Sequence, residues 1–147
     1  MTNIDKQEKS SYSKGRMSFS QEDQLKYKAL YLQTARQYIK DLQDNLTRVS
    51  SGNKTEDIID TLHRDSHSLK GQSEMMGYHA VGSLSLLMED IFRTKKEKNL
   101  VLTPEILTQM LQAVKEIGVC LDEIEKVNKE LDMYATTEQL RKLANIQ

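Results

Sequence analysis

The sequence predicts an all-α protein, built as an antiparallel four-helix bundle with an additional short C-terminal helix. Helix breakers are scarce, because the 147 residues include one Pro and six Gly. Aromatic residues that favour strands are also scarce, with no Trp and two Phe. Four long segments repeat their apolar residues at three- and four-residue spacing, and short connections join them. A chain of this length is expected to form one domain, which we place at residues 20–147.

The first predicted helix follows a polar N-terminal segment. Residues 1–19 are rich in Ser and Lys and show no apolar periodicity, which predicts a disordered tail. Ser20 is a candidate N-cap, with Glu22 and Asp23 in the first turn, where acids favour the helix dipole. The turn-forming residues at 50–53 are expected to end this helix. Its apolar stripe comprises Tyr31, Leu32, Ala35, Tyr38, Ile39, Leu42, Leu46 and Val49.

The second and third helices are predicted on either side of a glycine. Thr55 is a candidate N-cap for a helix over about 56–76, and Gly77 follows where a C-terminal glycine is favoured. The third helix is predicted over about 79–98 and ends in a Lys-rich turn that suits the negative end of its dipole. Its apolar side comprises Val81, Leu84, Leu87, Met88, Ile91 and Phe92.

The fourth helix has the strongest start signal in the chain. Thr103 is a candidate N-cap, and Pro104 stands at the first helical position, where proline is favoured. A short fifth helix is predicted from a capping box that begins at Thr136, and it is expected to carry Leu140 and Leu143.

Charge and motif content exclude several classes of protein. The formal net charge is -1, whereas a dedicated nucleic-acid binder is expected to carry an excess of positive charge. One cysteine cannot form an internal disulfide, and no apolar run of about 18 residues predicts a membrane helix, so we expect a cytoplasmic protein. The sequence contains no phosphate-binding glycine loop and no nucleophile elbow. We therefore expect neither an ATP site nor a bound cofactor or metal.

The second helix places a histidine on its outer side. At about 100° per residue, an arc of about 80° collects the apolar and small residues that should face the core. His67 lies far outside this arc, toward solvent. The core arc comprises Ile58, Leu62, Ser66, Leu69, Ser73 and Met76, and the outer neighbours of His67 comprise His63, Arg64, Lys70 and Gly71.

The neighbours of His67 suggest phosphoryl chemistry. A helix-interior glycine such as Gly71 costs about 1 kcal/mol relative to Ala, so a compensating role is expected, and one is to leave room for another protein beside the ring. Lys70 places a cation near any anion that the ring carries. Neutral imidazole is a nucleophile near neutral pH, and phosphoryl transfer depends on access and charge stabilisation more than on an enclosed pocket.

These residues resemble a known family. The run from His67 to Gly71, followed by Ser73 and by Met76-Gly77-Tyr78, resembles the signature of histidine phosphotransfer (HPt) domains, in particular the N-terminal domain of CheA-type chemotaxis kinases. The segment from Leu87 to Asp90 resembles the Met-Glu segment of that family at the expected spacing. The likeness covers roughly residues 20–145 and includes the succession of five helices.

The resemblance implies roles for individual residues. His67 would accept a phosphoryl group from a histidine kinase domain and pass it to a response-regulator aspartate, with Lys70 as the adjacent cation. Glu89 would accept a hydrogen bond from one ring nitrogen while bordering the second helix without being buried. Leu86 and Gln72 depart from the family pattern. The candidate partner-binding residues are His63, Arg64, Gly71, Glu74 and Leu86.

Other interpretations remain open at this point. A helical adaptor could keep the bundle without the phosphate chemistry. His63 and His67 have the spacing of two metal ligands, but no third ligand is evident. His79 suits a structural role at a helix start, and Cys120 a buried, inert position. We expect the domain to be a monomer in isolation.

Overall fold

A computed structural model describes residues 20–53 and 55–146, and all regular structure within them is helical. The five helices are α1 (Gln21–Ser50), α2 (Glu56–Met75), α3 (His79–Lys98), α4 (Pro104–Val127) and α5 (Tyr134–Ala144). These elements confirm the predicted all-α fold. The predicted tail at residues 1–19 lies outside the described residues. None of the helices described is both long and apolar enough to cross a membrane.

The chain divides into two units between Leu30 and Tyr31. In the first unit, the described residues 20–30 form the start of α1, where Ser20 Oγ accepts a hydrogen bond from the amide of Asp23 at 3.1 Å. This bond confirms the predicted N-cap. The second unit holds the rest of α1 and all the later helices.

Side-chain caps and left-handed residues set most of the other helix ends. The side chains of Thr55 and Thr103 accept from the amides three residues later, as predicted for the starts of α2 and α4. Gly77 follows α2 with a φ of +83°, which a glycine adopts without strain. Asn99, Asn128 and Asn145 end α3, α4 and α5 in the left-handed conformation, which asparagine tolerates better than most residues.

Helices α2 and α3 lie antiparallel along their whole length. Contacts between them run in opposite directions along the two helices: Lys96 with Asp60, then Glu89 with His67, then His79 with Glu74. The core of the second unit is built from all five helices. Its largest fully buried side chains are Phe92, Leu42, Leu46, Leu62, Leu69, Leu84, Leu87, Met88, Ile91, Leu102, Met110 and Ile117.

The buried face of α2 is rotated by about 20° from the predicted arc. Ile59 is buried, whereas Ile58 and Met76, which the helical-wheel projection of the sequence assigned to the core, are only partly buried. The prediction was wrong here because a wheel locates the apolar arc but not the neighbouring helices. The rotation turns the flank that holds His63, Lys70 and Glu74 toward α3.

The start of α5 also differs from the sequence prediction. The helix begins at Tyr134, whose amide donates to Asp132 Oδ1 at 3.0 Å, so Thr136 is not its N-cap. The Thr136 hydroxyl instead donates to Glu116 of α4. Leu140 is buried as expected, but Leu143 is exposed and Ala144 takes the second core position.

Candidate functional site

The candidate site joins an exposed histidine of α2 to a buried glutamate of α3. The Nδ1 atom of His67 lies 2.7 Å from Oε1 of Glu89, with 63% of the His67 side chain exposed but only 3% of the Glu89 side chain. The burial of Glu89 corrects the expectation that it would border α2 without being buried. Its flank of α3 faces α2 directly, and close packing of the two helices removes the carboxylate from water.

The hydrogen bond fixes the tautomer of His67. Burial acts to raise the pKa of Glu89, but hydrogen bonds from His67 and Lys70 outweigh burial and hold that pKa below its ordinary value. Glu89 is therefore ionised at neutral pH and can only accept hydrogen bonds. Nδ1 of His67 must then carry the proton, which leaves the lone pair on Nε2.

Three side chains converge on the Glu89 carboxylate. In addition to His67, Lys70 Nζ lies 2.9 Å from Oε2, and Arg93 Nη2 lies 3.1 Å from Oε1. Lys70 Nζ is also 3.5 Å from Nδ1 of His67. The ion pairs keep a buried carboxylate charged, since an unpartnered one would favour its neutral form.

Arg93 was not among the residues singled out from the sequence. It stands four residues after Glu89, a spacing that brings side chains together on one face of a helix. Its Nη1 atom also lies 2.6 Å from Asp90 Oδ1, so the guanidinium spans two carboxylates. The spacing rule could have predicted the pair, but not its connection to His67.

Gly71 lies on the exposed side of α2 with open space around it. A Cβ atom added there would have no heavy atom from another part of the described chain within 4 Å. Packing within the described chain therefore does not require glycine here. Arg64 and Leu86 are also exposed, whereas Gln72 turns toward α1, where its Nε2 lies 3.4 Å from the Tyr38 hydroxyl.

His63 is less accessible than the sequence predicted. It is partly buried, its Nδ1 accepts a hydrogen bond from Lys96 Nζ at 3.2 Å, and its Nε2 is buried. Burial, together with the charge of Lys96, lowers the pKa of His63. This location corrects its assignment to the outer surface, because the rotation of α2 turns the ring toward α3.

Glu74 forms a second histidine–carboxylate pair away from the first. Its Oε2 lies 2.6 Å from Nδ1 of His79, the first residue of α3, and both side chains are exposed. The Glu74 side chain also covers Gly82, where an added Cβ would collide with it. Glu74 is therefore held against α3 while its side chain stays exposed, and its role in partner binding stays a prediction.

Metal ligands do not cluster in the described residues, where no group of three or more His, Cys, Asp or Glu side chains could hold an ion. His63 and His67 turn to different partners. Cys120 is buried as predicted, and burial raises the pKa of its thiol. Its Sγ accepts a hydrogen bond from the amide of Leu131 at 3.4 Å.

The fold and the site define the class of protein, a helical bundle in which an exposed imidazole of α2 is held by a buried carboxylate of α3. The profile of the Hpt domain family matches residues 26–125. The chain therefore belongs to the Hpt domain family, as the sequence resemblance indicated.

Individual relatives agree with this assignment. The chemotaxis protein CheA of Halobacterium salinarum is 25% identical over 116 residues, which cover 78% of this chain and 17% of that protein. CheA of Listeria monocytogenes is 21% identical over 96 residues, which cover 65% and 16%. The matched region thus spans about a sixth of the length of these relatives.

A solved structure shows the same fold. The phosphorylated P1 domain of CheA3 from R. sphaeroides, crystallised in complex with CheY6, superposes with a TM-score of 0.75 at 23% identity. The similarity covers 82% of this chain and 96% of that one.

Proposed function

We propose that this domain is a phosphoryl carrier whose acceptor atom is Nε2 of His67. The observation that supports it best is that Nδ1 is bound to buried Glu89, while 63% of the His67 side chain remains exposed. The ring is held in one tautomer and one orientation, and its second nitrogen is the nucleophile.

The transfer occurs in two steps with His67 as the intermediate. In the first step, the Nε2 lone pair attacks phosphorus, the N–P bond forms, and the bond from phosphorus to the donor breaks with its electron pair leaving on the donor. In the second step, a carboxylate oxygen of a receiver domain attacks phosphorus and the Nε2–P bond returns its electrons to the ring. The Nδ1 proton stays on the ring, next to Glu89.

Lys70 and Gly71 support these steps in different ways. The Lys70 ammonium lies 2.9 Å from Glu89 and within 3.5 Å of the ring, so a small movement brings it to a phosphoryl oxygen. The open space around Gly71 lets a partner's active site approach the ring closely. Exposed Arg64 and Leu86 then lie on the faces that a partner would cover.

The proposed partners are a histidine kinase domain as the donor and a response-regulator receiver domain as the acceptor. This division of labour leaves ATP binding to the kinase domain, whether that domain lies in a separate protein or in a longer chain that includes this one. Similarity to CheA supports a cytoplasmic, chemotaxis-type signalling context for the proposal.

The test is phosphorylation of the purified domain with a kinase domain of CheA type and labelled ATP. The expected product is one phosphoryl group per chain, stable in alkali and labile in acid, and it should be absent from His67→Gln. His79→Gln is the matched control, because His79 is also exposed and also bonded to a glutamate. Label that persists in His67→Gln would overturn the assignment of the acceptor.

The helical adaptor is distinguished by two further measurements, receiver-domain binding and loading by the small phosphoryl donor phosphoramidate. Binding of a receiver domain by a chain that acquires no phosphoryl group from the kinase or from phosphoramidate would favour an adaptor over a carrier.

A further inference from the structure

The guanidinium of Arg93 competes with His67 for one oxygen atom. Arg93 Nη2 lies 3.1 Å from Oε1 of Glu89, the same oxygen that lies 2.7 Å from Nδ1 of His67. Lys70, in contrast, occupies Oε2. The hydrogen bond that orients the ring therefore shares its acceptor with a permanent positive charge.

This competition matters because the ring becomes positively charged during transfer, on the mechanism proposed above. When the Nε2 lone pair enters the N–P bond, the ring keeps its Nδ1 proton and takes a formal positive charge. Glu89 stabilises that charge through Oε1. A cation on the same oxygen weakens this stabilisation, which disfavours the loaded state and favours return of the electron pair to Nε2.

Asp90 limits the effect of Arg93. Its Oδ1 lies 2.6 Å from Nη1, so the guanidinium divides its charge between two carboxylates. Without Asp90, Arg93 would keep its contact with Glu89 and its weaker attraction to Glu97, so more of its charge would act on Glu89. With 41% of the Arg93 side chain exposed, solvent also screens it, so the expected influence is small.

We propose that Arg93 is a positioning residue that acts through Glu89 to make phospho-His67 a more reactive donor, and that Asp90 moderates it. The inference rests on the proposed phosphoryl transfer at His67. It makes opposite predictions for two neighbouring residues of α3: removing Arg93 should strengthen the Glu89–His67 bond, and removing Asp90 should weaken it.

The first measurement needs no phosphoryl group. In the unphosphorylated domain with 15N-labelled histidine, the chemical shift of the His67 Nδ1–H proton reports the strength of its hydrogen bond. We expect this proton to move downfield in Arg93→Gln and upfield in Asp90→Asn, with Arg93→Lys close to the parent. The coupling is overturned if the proton moves in the same direction in Arg93→Gln and Asp90→Asn, or if it does not move in either variant.

The second measurement uses the loaded domain. Phosphoramidate transfers its phosphoryl group to Nε2 with loss of ammonia, and after its removal water attacks phosphorus to release inorganic phosphate and restore the ring. We expect the 31P signal of phospho-His67 to disappear about two- to threefold more slowly in Arg93→Gln and faster in Asp90→Asn. The effect is small because a partly exposed ion pair changes an equilibrium by only a few-fold.

The outcomes separate the two proposals. If His67 acquires no phosphoryl group from a kinase or from phosphoramidate, the carrier function fails, whereas the proton shifts still test the Arg93 coupling. If His67 is loaded and the variants lose phosphate at the parent rate, the Arg93 inference fails alone. Faster loss in Arg93→Gln would show that Arg93 stabilises the phosphoryl group directly, which also overturns the inference.

Discussion

His67 and Glu89 lie on different helices and share one hydrogen bond of 2.7 Å, with the imidazole mostly in solvent and the carboxylate almost wholly buried. The pair joins an exposed side chain of α2 to the buried interface between α2 and α3. Rotation of the ring would require either breaking a bond to a buried charge or moving α3, so the packing of α2 against α3 orients the imidazole.

Replacing Glu89 with Gln should slow loading of His67. A neutral amide does not require the Nδ1–H tautomer, and it leaves Lys70 and Arg93 without the charge that they share. We expect the rate of phosphorylation by phosphoramidate to fall about 10- to 100-fold, as is typical when the partner that orients a histidine is lost. A folded variant that is loaded at the parent rate would contradict this role.

Replacing Gly71 with Ala should separate stability from partner recognition. The added Cβ meets no other part of the described chain, and Ala is favoured over Gly in a helix interior, so the free energy of unfolding should rise by about 0.5 to 1 kcal/mol. Loading by phosphoramidate should be unchanged, whereas loading by a kinase domain should be slower. Thermal unfolding and the two loading rates check the prediction, and an equal effect on both donors would contradict it.

The pH dependence of stability should contain a contribution from His63. The folded state lowers the pKa of His63 from 6.5 through burial and the charge of Lys96, so the unfolded chain binds a proton more readily. Its contribution to stability is therefore full above pH 6.5 and declines as the pH falls toward the folded pKa.

Urea unfolding of the parent and of His63→Gln between pH 7.5 and 5, a range chosen around the ordinary histidine pKa of about 6.5, tests this sign. We expect a smaller loss of stability in the variant as the pH falls. Lys96→Gln should reduce the loss as well, because it removes the nearby charge that contributes most to lowering the pKa of His63 after burial. A steeper loss in His63→Gln would reverse the predicted sign.

A buried hydrogen bond should couple α1 to the end of α2. The Tyr31 hydroxyl lies 2.7 Å from Ser73 Oγ, and burial raises the pKa of Tyr31. Removing either partner leaves the other polar group buried, so Tyr31→Phe and Ser73→Ala should each cost about 1 to 3 kcal/mol. The double variant should cost less than their sum, as measured by urea unfolding, and strict additivity would argue against the coupling.

The helix boundaries could be predicted from the sequence because their causes are local. Thr55 and Thr103 each accept a hydrogen bond from the first turn of the helix that they begin, and Pro104 occupies the first helical position. The same local logic failed at Thr136, where the hydroxyl found a partner on α4 and Asp132 bonded to the first turn instead. A capping motif competes with tertiary partners that the sequence does not reveal.

Most residues of the candidate site were singled out from the sequence, but Arg93 and the full geometry were not. The wheel placed His67 outside the core, because exposure of one side of an amphipathic helix follows from periodicity. It could not show that α3 lies against one flank of α2. That placement buries Glu89, draws His63 inward and brings Arg93 into the same charge cluster.

The sequence by itself determined five helices, the N-caps of three of them, most of their buried stripes and an outward histidine beside a lysine and a glycine. These features depend on backbone hydrogen bonding and on apolar periodicity along a single helix. Only the tertiary structure decided which charges meet, because the rotation of α2 against α3 sets distances between residues far apart in the chain. That rotation brings a buried carboxylate to one nitrogen of an exposed imidazole, and the tautomer of His67 follows from it.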